Sequence, residues 1–413
     1  MQGTGETFTL MTHDAYIFDA VRSPRGRGKK DGGLHTLSPV ELASELLKAI
    51  PARNPGFDSK KVEDVIFGCA EAVNDQGANL ARSAALYAGY DDSVAGSTVA
   101  RFCGSGLEAL NIAASKVMAG QGDLFVAGGI EMMSLVPMLA TGGPTVSDTF
   151  FNDRSWATPQ GVSADLIATL EGFSREDVDA WAAQSHQRAA KAVSDGAFSR
   201  SIVPVHDSNG TLMLDHDELI RRETSIESLS KLKPSFERAA DAGYDITIRR
   251  RYPQLDRLLH VHHAGNSSGI ADGASAVVIG NLACAQSMGI RPRARIRAIA
   301  QVGIEPCIML TGPVEASRRA LARCGLDFQD VDLFEVNEAF ASVVLYFNKH
   351  TGVAPEKVNV NGGAIALGHP IGATGGMLVG TLVDELERRD ARIGVATMCT
   401  GLGMAVATVI ERI

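Results

Sequence analysis

Cys103 stands in Ala100-Arg101-Phe102-Cys103-Gly104-Ser105-Gly106-Leu107, where a strand-like run gives way to a helix. The two glycines let the backbone turn tightly and come close to a ligand. Apolar positions 107, 110, 114 and 117 then recur at helical spacing. A thiol at a helix N-terminus lies at the positive end of the dipole, which favours the reactive thiolate. Most free cysteines are small buried hydrophobes instead, so Cys103 alone leaves both readings open. Four further stretches carry chemistry. Asn337-Glu338-Ala339-Phe340 follows a strand-like run, and Asn337 in isolation reads as a helix cap. His369 is embedded in the glycine-laden loop Asn361 to Gly375, which implies close approach of backbone to ligand and a fixed imidazole. Met398-Cys399-Thr400-Gly401-Leu402-Gly403 places a second cysteine at a strand end beside a glycine turn. Ala264-Gly265-Asn266-Ser267-Ser268-Gly269 reads by itself as a turn-rich loop.

The elements that must position these residues fall into three zones. Residues 11 to about 133 alternate strand-like pieces (15–20, 63–68, 96–101, 123–128) with helical ones (38–49, 78–88, 105–119), which predicts parallel sheet covered by helices. Residues 134–269 are richer in charge and mostly loop-like, with one amphipathic helix at 174–195 opened by the cap-like Ser174-Arg175-Glu176-Asp177. Such an excursion from a scaffold often carries binding residues. From about 270 the alternation returns, with strands at 274–279, 294–299 and 331–336, helices at 313–324, 338–350 and 373–388, and a buried hairpin over 393–410. The two ends share a layout, which suggests duplicated α/β halves whose equivalent helix N-termini present Cys103 and His369.

Composition excludes several classes. The 413 residues are 21% charged and 45% hydrophobic, as in a soluble globular protein, and the net charge of −9 argues against nucleic-acid binding. Any anionic ligand therefore needs a local basic patch. Six scattered cysteines (69, 103, 284, 307, 324, 399) form no CxxC, which suits a reducing cytosol and argues against a disulfide framework or a metal site. The N-terminus shows neither a signal-peptide nor a transit pattern, and no membrane span is expected, so a cytoplasmic location follows.

Taken together, the separated motifs resemble the thiolase family, specifically acetyl-CoA acetyltransferase-like thiolases. The resemblance runs from Val21-Arg22-Ser23-Pro24 to Ile413 and includes the Cys103 segment, Asn337 to Phe340, the 361–375 loop, the Cys399 turn and Met309-Leu310-Thr311-Gly312-Pro313. It implies an α/β thiolase fold of two duplicated βαβαβαββ halves in a five-layer αβαβα arrangement. The halves would be 11–133, completed by about 270–285, and 286–413, with 134–269 as an inserted loop domain that binds coenzyme A. It implies ping-pong acyl transfer between coenzyme A and acetyl-CoA. Cys103 would be the acylated nucleophile, His369 would take its proton, and Cys399 would act as acid/base at the α-carbon. One oxyanion hole would come from His369 and a water held by Asn337, the other from the backbone N–H groups of Cys103 and Gly401. Arg221, Ser228, Ser268 and Met309 would contact coenzyme A or substrate. Coenzyme A thioesters would be substrates rather than permanent cofactors, and a homodimer or homotetramer is implied, with 79–85 resembling an interface segment.

The pattern departs from compact family members in two places. About twenty extra residues, Ala239 to roughly Val261, precede His262-His263, and Thr158-Pro159-Gln160-Gly161 lacks a His-Met pair. The insertion is expected to reshape the mouth of the site for a longer or bulkier 3-ketoacyl group, and Arg249 to Arg251 are candidates for gripping coenzyme A phosphates. Two rivals are a ketoacyl-synthase-like condensing enzyme, in which a second catalytic cysteine is not expected, and a non-catalytic acyl-CoA- or lipid-binding protein, which would have lost Cys103, His369 or Cys399. A nicotinamide enzyme is weaker still, because no GxGxxG follows the first strand.

Overall fold

A computed structural model of the protein describes residues 13–413. The question of a leader, and the first two residues of the 11–133 unit, fall outside the described residues. Nine strands build the large sheet: β1 (Ala15–Arg22), β2 (Asp64–Gly68), β3 (Ala95–Val99), β4 (Leu124–Met132), β5 (Ala271–Gly280), β6 (Ala294–Gly303), β7 (Leu333–Val336), β8 (Ile393–Thr400) and β9 (Met404–Arg412). A tenth, Gly26–Arg27, pairs with the start of β5.

The strand order is β7-β8-β9-β6-β1-β5-β4-β2-β3, which is mirrored about the β1–β6 seam. On one side β5 lies antiparallel between β1 and β4, and β4, β2 and β3 run parallel. On the other, β9 lies antiparallel between β6 and β8, and β8 and β7 run parallel. A bridge from Phe334 to Val358 stands where β3 stands in the first half. The expected hairpin is the β8–β9 pair, in register from Ile393–Glu411 to Thr400–Met404.

Strand alternation sends side chains to two cores at once. In β1, Ala15 and Ile17 face one core while Tyr16 and Phe18 face the other. The central core holds α3 (Ser105–Met118) and α9 (Thr374–Arg388), through Leu107, Leu110, Ala114, Leu378, Leu382 and Leu386. The outer face of the first half packs against α1 (Pro39–Arg53) and α2 (Leu80–Tyr87). The outer face of the second packs against α7 (Gly312–Arg323) and α8 (Ala341–Thr351). Five layers, αβαβα, result. Leu42, Leu46, Leu47 and Ile50 of α1 are fully buried, each worth roughly 2 kcal/mol of transfer free energy. Ser38 starts that helix with a capping box to Glu41, and Pro39 follows at the first turn.

Between β4 and β5 the chain makes its excursion. It contains α4 (Gln160–Glu171), α5 (Arg175–Ser194), which has the expected Ser174 cap, and α6 (Asp245–Arg251). Reading most of this zone as loop missed α4, whose apolar residues serve two faces and so blur any single stripe. Asp217 fastens the excursion to the scaffold by accepting both Arg22 guanidinium nitrogens at 2.8 Å and the Arg25 amide at 2.8 Å. Among the described residues no helix is long and apolar enough to cross a membrane, and no group of three or more His, Cys, Asp or Glu could hold a metal ion.

Candidate active site

Cys103 precedes α3 by one glycine, and its neighbour Phe102 has a left-handed backbone, φ 48°. Leu402, just past Cys399, and Met309 share that conformation at φ 60° and 54°. Left-handed non-glycine residues are strained and persist only where their surroundings hold them. Ser105 holds this turn, since its hydroxyl accepts from the Arg101 amide at 2.9 Å and donates to the Phe102 carbonyl at 2.6 Å.

The starts of α3 and α9 meet glycine to glycine. A Cβ on Gly106 would collide with the Gly372 carbonyl, and one on Gly375 with the Leu107 amide nitrogen. Only residues without side chains allow that approach, and it brings the Cys103 turn and the His369 loop together. Ile371 and Cys103 share the central core. Glu131, inside β4, ties the His369 loop to the turn that follows β2. Its buried carboxylate accepts from the Ala70, Glu71 and Gly372 amides at 2.8, 3.2 and 2.9 Å and from Gln76 Nε2 at 2.7 Å.

His369 is buried and its tautomer is set. Thr374 Oγ1 donates to the Pro370 carbonyl at 2.8 Å, so toward His369 Nδ1, at 2.6 Å, it must accept. Nδ1 therefore carries the hydrogen and Nε2 keeps its lone pair. Asn337 Nδ2 approaches that Nε2 at 3.4 Å, while Asn337 Oδ1 is buried and has no protein partner. The cap reading of Asn337 gives way here. α8 starts at Ala341 rather than 338, because Ser268 N–H donates to the Ala339 carbonyl at 3.0 Å and Ala341 N–H to the Asn266 carbonyl at 3.1 Å, which holds 337–340 extended. Glu338 fixes the same segment by accepting from Trp181 Nε1 (3.0 Å), Ser185 Oγ (2.6 Å), Asn359 Nδ2 (3.2 Å) and the Ile365 amide (3.1 Å).

Electrostatics leave the resting site uncharged. Burial pushes the Cys103 thiol up to about 11, against hydrogen bonds from Gln160 and from the backbone N–H groups of Cys103 and Gly401 that favour the thiolate. Burial and the Arg25 charge push His369 down to about 3. Cys399 is raised by burial and then by the nearby Cys103. The dipole argument for a resting thiolate is thus outweighed by desolvation.

Of the residues singled out in the sequence, Cys103, Cys399 and Gly401 form one group and His369 and Asn337 another, joined through the α3–α9 crossing. Met309 packs with Cys399 and Phe340. Ser268 sits on a strand-like loop beside the His369–Asn337 group, flanked by the Ser267–Phe340 and Ile270–His369 bridges. Arg221 and Ser228 lie apart on the exposed excursion. The Arg221 amide donates to His186 Nδ1 at 3.1 Å, and Leu219 beside it packs over Gly269 and Gly368. Ser228 closes a capping box with Ser225. Arg250 and Arg251 stack on Trp156 at 5.3 and 5.9 Å and pair with Asp153 and Glu305. Those contacts brace the insertion. Sequence reasoning missed Glu131, Glu338, Thr374 and Gln160. A carboxylate inside an apolar strand was the available signal for Glu131.

The family model for the thiolase N-terminal domain matches residues 15–243 and that for the thiolase C-terminal domain matches 290–412. A 3-ketoacyl-CoA thiolase of Klebsiella pneumoniae is 41% identical over 96% of this chain and 99% of its own length. One of Aeromonas hydrophila is 41% identical over 97% of this chain and 100% of its own length. The crystal structure of the Bacillus anthracis acetyl-CoA acetyltransferase superposes with a TM-score of 0.84 at 35% identity, covering 98% of this chain and 100% of that one. A five-layer fold, two buried cysteines beside a histidine–asparagine pair, and these matches agree: the chain belongs to the thiolase family of acyltransferases.

Proposed function

We propose that the protein transfers an acyl group between coenzyme A and acetyl-CoA through an acyl-Cys103 intermediate, by thiolytic cleavage of a 3-ketoacyl-CoA or the reverse condensation. The observation that carries this reading is the buried Cys103–Cys399 pair, close enough for the Cys103 charge to act on Cys399, beside an imidazole whose Nε2 bears a lone pair and faces the Asn337 amide. In the cleavage direction His369 Nε2 takes the Cys103 proton and the sulfur attacks the 3-keto carbon. The C2–C3 bond breaks, and the carbanion of acetyl-CoA takes a proton from Cys399. The imidazolium proton restores Cys399 as the acetyl-CoA leaves. Free coenzyme A then attacks the acyl-cysteine, and its thiol proton passes by way of the imidazole to the departing Cys103 sulfur. The backbone N–H groups of Cys103 and Gly401 serve one developing oxyanion, and His369 with the Asn337 side chain the other. Because all three titrating groups start neutral, charge forms only as the carbonyl arrives.

Coenzyme A thioesters are the substrates in this reading, with no permanently bound cofactor, and the nucleotide end runs along the Leu219–Ser228 stretch. Arg221 and Ser228 border that path, while Ser268 and Met309 stand at the acyl end. The units 11–133, 134–269 and 286–413 divide this work between nucleophile, ligand binding, and proton transfer. A cytoplasmic homodimer fits the open edge of β3 and the exposed Leu86 and Tyr87 at the end of α2. A condensing enzyme of the same superfold gives Cys399 no task.

Mass spectrometry after brief exposure to acetyl-CoA tests the reading. An acetyl adduct on Cys103 is expected, absent in Cys103→Ala and discharged by free coenzyme A. Acetylation elsewhere, or none, would sink it.

A further inference from the structure

The departure at Thr158 to Gly161 places an amide beside the nucleophile. Gln160 opens α4 half-buried, and its Nε2 lies 4.0 Å from Cys103 Sγ, within reach of a long hydrogen bond to sulfur. Its seat is built with care. Thr158 Oγ1 and Ser163 Oγ both meet the Cys307 carbonyl, at 3.1 and 2.8 Å, which pins the first turn of α4 to the 305–309 loop. Glu305 pins that loop by accepting from the Cys307 and Ile308 amides at 3.1 and 2.9 Å, and from the insertion's Tyr252 hydroxyl at 2.7 Å and Arg251 Nε at 3.3 Å. The Phe236 ring lies directly over Gly161, where any side chain would displace it. The insertion therefore stands behind α4. Its Ile248 and Leu258 pack with Val162 and Leu166, while Ala164 and Ile167 on the other face of α4 pack with Met309, Phe340 and Cys399.

The Gln160 carboxamide is the side-chain donor that reaches the sulfur, and the Cys103 and Gly401 amides also favour its thiolate. In the acyl-cysteine reading, on which this inference rests, the two amides turn to the thioester oxygen once an acyl group is bound. The donor then left to the sulfur itself is Gln160. We propose that Gln160 is a further catalytic residue, its Nε2–H stabilising the Cys103 thiolate as it forms in acylation and as it leaves in deacylation, with the 239–261 insertion holding it in place through Glu305. A donor to sulfur favours the thiolate over the thiol, and a thioether or hydrocarbon in the same place would not.

The test compares the full-length parent with Gln160→Met, Gln160→His and Gln160→Glu, reading the rate of Cys103 alkylation by iodoacetamide across pH and the rate of Cys103 acetylation by acetyl-CoA. Loss of the donor in Gln160→Met should slow alkylation at pH 8 about tenfold and move its profile about one unit to higher pH. Acetylation should slow by a similar factor, with KM for free coenzyme A unchanged. Gln160→His, which restores an N–H, should recover most of the rate, and Gln160→Glu should fall below Gln160→Met because a like charge faces the thiolate. An unmoved pH profile in Gln160→Met, or equal impairment of the Met and His variants, would overturn the proposal. If the parent itself is not acetylated on Cys103 the acyl-cysteine reading fails, and the alkylation series still decides whether Gln160 serves the sulfur.

Discussion

Burial, not the helix dipole, governs the two central side chains. A dipole effect of at most about 2 kcal/mol cannot offset the desolvation that carries the Cys103 thiol up to about 11. The thiolate fraction at neutral pH is consequently small. We expect alkylation of Cys103 in the substrate-free protein to accelerate about tenfold per pH unit from pH 7 to 10, without the plateau near neutrality that an activated cysteine shows. A rate flat above pH 8 would contradict that. His369, held neutral down to about pH 3, contributes no acid limb of its own above pH 5. Its readiness depends on Thr374, whose hydroxyl selects the Nδ1–H tautomer. Thr374→Val should lower the acetylation rate of Cys103 about 10- to 100-fold, at a stability cost of about 1–2 kcal/mol for an unpaired buried N–H. Thr374→Ser should restore the rate. Cys103, His369 and Cys399 were legible in the sequence because glycines crowd around each. Thr374 and Glu338 were not, since a hydrogen bond to a distant loop leaves no local pattern.

Among the elements, the α3–α9 crossing depends on absent side chains. Gly375→Ala would drive a methyl into the Leu107 backbone, whereas a Cβ on Gly303, at the end of β6, meets nothing within 4 Å. Gly375→Ala should therefore abolish acyl transfer and lower the urea midpoint by the equivalent of about 1–3 kcal/mol, an overpacking cost. Gly303→Ala should leave both within error. Glu305→Ala would release the insertion from the 305–309 loop and strand two amides. It should cost about 2–4 kcal/mol in chemical denaturation and change the ratio of activities toward short and long 3-ketoacyl-CoA esters. The strands and most helices were readable from period and caps, although β4, β6 and α1 run about four residues past their expected ends and β5 starts three residues earlier. α4 escaped because its two apolar faces serve different cores. The start of α8 was misplaced because tertiary hydrogen bonds to Asn266 and Ser268 keep 337–340 extended.

For the molecule as a whole, the mirrored strand order was only hinted at by the shared layout of the two ends, because the letters themselves scarcely repeat. The continuous sheet could not be foreseen, since the seam between β1 and β6 is a pairing of remote segments. That order has a consequence for synthesis on the ribosome. β1 is the first strand to emerge, yet both its neighbours, β5 and β6, follow only after more than half of the 413 residues have been made. β5 is also the partner of β4, so two apolar edges wait for one late strand. Open edges of that kind invite aggregation. A chain stopped at residue 243, where the N-terminal family match ends, should be recovered as aggregate without a cooperative melt, and one carried through β5 should be more soluble. The nascent first half should thus keep two aggregation-prone edges until its keystone strand arrives.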